Sequence, residues 1–90
     1  MTEEEHTEIG QAAEAVLALP AFNQVVNSLV ESSFQTFVNS KPDQGEIRER
    51  AYNHYHGLVD VVDTLKQRVA VRDEILAKGD TRQEEEQDHE

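Results

Sequence analysis

Apolar residues recur at helical spacing through most of the chain, and no stretch shows the strict alternation of a half-buried strand, so the pattern predicts an all-α fold. A first short helix is expected from about Thr7, acting as N-cap, with Ile9, Ala13, Val16 and Leu17 on one face. It should stop near Leu19. Pro20 lacks a backbone N–H and disfavours helix in the residue before it, yet suits the first position of a new one, so "LALPAFNQ" predicts a corner.

The second helix carries Phe22, Val26, Leu29, Ser33 and Phe37 along one stripe, widened by Val25, Val30, Phe34 and Val38. All three phenylalanines of the protein lie here. A stripe this wide is more than one neighbouring helix covers, which makes Phe22, Phe34 and Phe37 a candidate partner face beside the plainer reading of ordinary core. "NSKPDQGE" then supplies turn residues, and Asp43 followed by Glu46 resembles a reciprocal helix-opening cap.

A long third helix should follow from about Asp43 to Lys78, closed by Gly79 as a left-handed terminal residue. Thirty-odd residues of helix span about 50 Å. Within it Ala51, Tyr55, Leu58, Val62, Leu65, Val69, Arg72 and Leu76 are spaced 4, 3, 4, 3, 4, 3 and 4, the heptad seam of one helix packed along another. Arg72 is the charged interruption, able to lay its stem on the seam and keep its head in solvent. The economical arrangement is a hairpin, the two shorter helices running back along the long one, oligomerising as a helical bundle.

Charge changes this picture mainly at the ends. Of the net −11, residues 1–8 carry −4 and residues 80–90 carry −5, which leaves −2 for the span from Ile9 to Gly79. Acidic ends poor in apolar residues should stay disordered, so residues 1–6 and 80–90 are expected as disordered flanks of a hairpin domain at 7–79. Ninety residues without cysteine allow one small domain with no disulfide or thiolate chemistry, for which partner chains are an expected supplement. The acidic start lacks the features of a leader, no apolar run approaches the roughly 18–20 residues of a membrane span, and a soluble intracellular protein is expected.

The chemistry-bearing residues argue against an enzyme. In "NHYHGLV", His54 and His56 sit two apart and point to different sides of a helix, so they cannot share a metal. His56, Asp60 and Asp63 do share a face, but histidine and carboxylates at this spacing are more often a solvated helix surface. The four glycines are isolated, at positions 10, 45, 57 and 79, so no phosphate-binding loop is present. Gly57 in mid-helix is either tolerated or marks close approach by another helix. Arg48, Arg50, Lys66, Arg68, Arg72 and Lys78 are interleaved with acids, leaving no basic stripe for a nucleic-acid backbone. No catalytic residue, metal or cofactor is expected.

The segment "LPAFNQVVNSLVESSFQTFVNSKPDQGEIRERAYNHYHGLVDVVDTL", continuing into "KQRVAVRDEI", resembles a group of small helical proteins of unassigned function encoded by tailed bacteriophages. Its basis is a short helix ending at a proline before an aromatic, the "KPDQGE" turn, and an Arg/Glu-rich start to a long helix, over roughly residues 15–77. The resemblance implies a phage protein made with head or DNA-packaging components, and it brings no catalytic or ligand residue with it. The expected function is protein–protein interaction in virion assembly or packaging, with self-association, in the host cytoplasm or on the virion. The alternative is an acidic inhibitor of a host nucleic-acid enzyme.

Overall fold

The computed structural model describes the backbone of residues 1–88 and the side chains of residues 1–79. Three helices make up the described chain: α1 (Glu3–Leu17), α2 (Pro20–Asn39) and α3 (Gly45–Asp88), with no strand among the described residues. The fold is all-α. The described chain divides into two compact units, one of residues 1–16 with α3 from residue 65 onward and one of residues 17–64, and α3 contributes to both.

Both outer boundaries differ from the sequence expectation. Helix α1 starts at Glu3, not near Thr7: the Thr2 hydroxyl accepts from the Glu5 amide at 3.1 Å, and the Thr2 carbonyl accepts from His6 at 3.0 Å. Glu3, Glu4 and Glu5 fill the first turn, where carboxylates interact favourably with the positive end of the helix dipole. The acids expected to disorder residues 1–6 thus belong to a helix start. Thr7 instead bonds back to the Glu3 carbonyl at 2.9 Å. At the other end α3 runs through Gly79 to Asp88, and no glycine among the described residues has positive φ. Gly79 is therefore a helical residue, not a terminal one, since no proline follows to break the ladder. The expected disorder at 80–90 falls on residues whose side chains, and for 89–90 also the backbone, lie outside the described set.

In the first unit His6, Ile9, Gly10, Ala13 and Val16 form the less exposed stripe of α1, and Leu65, Arg68, Val69, Arg72, Ile75 and Gly79 that of α3. Gly10 lies hard against α3: a methyl group there would sit 2.7 Å from the Arg68 carbonyl oxygen and collide with the Arg72 stem. The Arg72 guanidinium reaches Glu14 across the pair and Asp73 at 2.8 Å. These hydrogen bonds, to Asp73 first and then Glu14, raise its pKa further above the ordinary arginine value.

In the second unit Pro20 opens α2 at its first turn, and Asn23 donates to the carbonyls of Leu17 at 2.9 Å and Leu19 at 3.0 Å. The turn between α2 and α3 is closed by Arg48, whose guanidinium donates to the Lys41 carbonyl at 2.6 Å, the Ser40 hydroxyl at 3.2 Å and the Pro42 carbonyl at 3.4 Å. The expected cap from Asp43 is replaced. Gln44 takes that place: its carbonyl accepts from the Arg48 amide at 3.2 Å, while its side chain accepts from the Lys41 amide at 2.8 Å.

Candidate interaction surface

What positions a surface in the second unit is the close approach of α2 and α3 at Ser33 and Ala51. Ala51 is 4% exposed, and both residues line grooves on either side of the contact. Small side chains at this point bring the helices together and leave the larger residues to spread outwards. On one side Val30, Phe34 and Phe37 of α2 meet Tyr52 and Tyr55 of α3 in an open groove of about 390 Å³. On the other side Leu29 and Ser32 meet His54, Gly57, Leu58 and Val61.

The first groove is aromatic and carries a single charged lining residue, Glu31. Its rings remain largely uncovered: Phe34 is 58%, Tyr52 54%, Phe37 47% and Tyr55 42% exposed. His56 stands edge-on to Tyr52, with ring centres 4.4 Å apart, and to Tyr55 at 5.9 Å. The two histidines of "NHYHG" thus stand in different surroundings. His56 braces two tyrosines, whereas His54 lines the opposite groove with Gly57. Among the described residues nothing lies within 4 Å of where a Gly57 side chain would begin, so none of the described helices makes the close approach considered for that glycine. Among the described residues no three His, Asp or Glu side chains gather where they could hold a metal ion, so the shared face of His56, Asp60 and Asp63 does not close into a site.

The seam residues have mixed fates. Ala51 is buried; Leu58, Val62, Leu65, Val69 and Arg72 are half-buried; Tyr55 and Leu76 are exposed. Past Arg72 the covered stripe passes through Ile75 and Gly79 in place of Leu76. Phe34 and Phe37 lie in the aromatic groove, while Phe22 is half-buried and outside it. Tyr52 was missed by the seam spacing because it sits on the flank of α3; its signal was its place four residues before His56 and three before Tyr55.

No helix among the described residues is by itself long and apolar enough to cross a membrane. Comparisons with protein-family models, with curated proteins and with solved structures yield no match.

Proposed function

We propose that this chain is a non-enzymatic interaction protein that self-associates, built as a helical hairpin of two shorter helices and one long one. One observation carries the reading. Among the described residues the only buried hydrophobic side chains are Ala13 and Ala51, no large side chain is fully buried, and Val25, Phe34, Phe37, Val38 and Tyr52 are each about half exposed. The larger apolar side chains of the helix stripes are at best half-buried, a thin return against the conformational entropy of ordering helices of this length, and covering the exposed residues adds roughly 25 cal/mol per Å². The missing core is supplied by another chain.

The setting we propose is virion assembly or DNA packaging in a tailed bacteriophage, as a scaffold-like or accessory factor meeting head or packaging proteins. This part rests on the sequence resemblance over residues 15–77. A second reading, an acidic inhibitor of a host nucleic-acid enzyme, is favoured by the −5 carried by residues 80–90. Size-exclusion chromatography with light scattering at micromolar concentration tests the first requirement: an assembly larger than one chain is expected, and a stably folded 10.2 kDa monomer overturns it. Capture from infected-cell lysate then separates the settings, with portal, terminase or coat protein supporting assembly and a host DNA enzyme supporting inhibition.

A further inference from the structure

We propose that the groove lined by Phe34, Phe37, Tyr52 and Tyr55 is the surface on which a second copy of this chain docks, groove against groove. The proposal rests on the self-association reading and names its interface. Docking of this kind pairs α2 and the early part of α3 from each copy in a four-helix layer, with the aromatic rings as the new core.

Area supports this occupant. Phe34, Phe37, Tyr52 and Tyr55, with Val38 beside Phe34 and Phe37 on α2, are 42–58% exposed. Taking roughly 200 Å² for a large side chain, they offer about 500 Å² per copy, or about 1,000 Å² for two before any polar rim is counted. That reaches the approximate 1,000 Å² threshold of a specific interface.

Charge selects the same occupant. The chain carries −11, yet Glu31 is the only charged residue in the twenty of α2. Two copies repel each other least where α2 is the contact. A basic partner would find one carboxylate in the groove and gain little there from attraction. A lipid surface would meet no Lys or Arg on α2, and the acids elsewhere oppose anionic headgroups. Each tyrosine has only two side-chain torsions to fix and already meets His56 edge-on, which keeps the ordering cost of docking low for its area.

The full chain is studied by sedimentation across micromolar concentrations, with helicity measured by circular dichroism on the same samples. Phe34→Asp should weaken self-association at least 100-fold, while Val61→Asp, in the opposite groove, should change it less than 3-fold. Since Phe34→Asp risks unfolding the chain, a second measurement uses the absence of cysteine: mild oxidation should link two copies of Phe37→Cys but not of Val61→Cys. Dissociation by Val61→Asp with Phe34→Asp unaffected, or cross-linking only through Val61→Cys, overturns the groove while leaving self-association standing. A wild-type chain that stays monomeric overturns both, and a monomer that binds phosphatidylcholine vesicles through this groove assigns the face to lipid and overturns the proposal.

Discussion

At the residue scale the glycines show how one residue type serves opposite circumstances. Gly10 is the point where α1 meets α3, because any Cβ would press on the Arg68 carbonyl and the Arg72 stem, and neither is the free end of a flexible side chain. Gly57 faces open space. Gly10→Ala should therefore lower stability by about 1 kcal/mol, overpacking outweighing the gain in helix propensity, while Gly57→Ala should raise it by about 0.5–1 kcal/mol. Thermal melts of the two variants, moving in opposite directions from wild type, check this. Leu65 belongs to the half-buried stripe of α3, so Leu65→Ala should cost about 1–2 kcal/mol, below the range for full burial. His54→Ala, on an exposed flank, should stay within about 0.5 kcal/mol. If chemical denaturation shows His54→Ala to be the more damaging, the packing described for α3 is wrong.

At the element scale the helix interiors were legible from spacing, and the helix ends were not. The Pro20 corner and the turn before α3 follow from residues that cannot continue a helix, whatever surrounds them. Starts and stops depend on competition for unpaired backbone groups, and more than one residue could win. Thr2 prevailed over Thr7 because its hydroxyl reaches the free Glu5 amide, and Gln44 over Asp43 because its side chain closes the preceding turn on the Lys41 amide while its carbonyl takes the first bond of α3. Arg48 decides the turn after α2 through three acceptors, a role that spacing alone does not reveal. Arg48→Ala should cost about 1 kcal/mol, with Arg48→Lys restoring little, since an ammonium cannot span the same fork of acceptors. Hydrogen exchange should show faster amides in residues 40–48 for both variants, and unchanged protection there would contradict the role given to Arg48.

At the scale of the whole molecule, charge separates the two functional readings. Deleting residues 80–90 removes −5 of the −11. Under the self-association reading, loss of like charge should leave assembly intact at physiological salt and strengthen it several-fold at low salt, where screening is weak. Under the inhibitor reading, the same deletion abolishes capture of the host enzyme. Sedimentation at two salt concentrations, run beside the capture experiment, distinguishes them. By itself the sequence determined the all-α class, the Pro20 corner, the position of the second turn and the apolar stripes, because these depend on spacing within a helix and on residues with restricted backbones. It left open which side of each stripe is covered. Tyr55 and Leu76 satisfy the heptad count and are exposed, while Ile75 and Gly79 lie in the covered stripe outside that count. Only the tertiary structure decided this, since burial depends on where the neighbouring helix lies: Gly10 sets the α1–α3 contact in one unit, and in the other Ala51 sets the α2–α3 contact and leaves the aromatic groove open beside it.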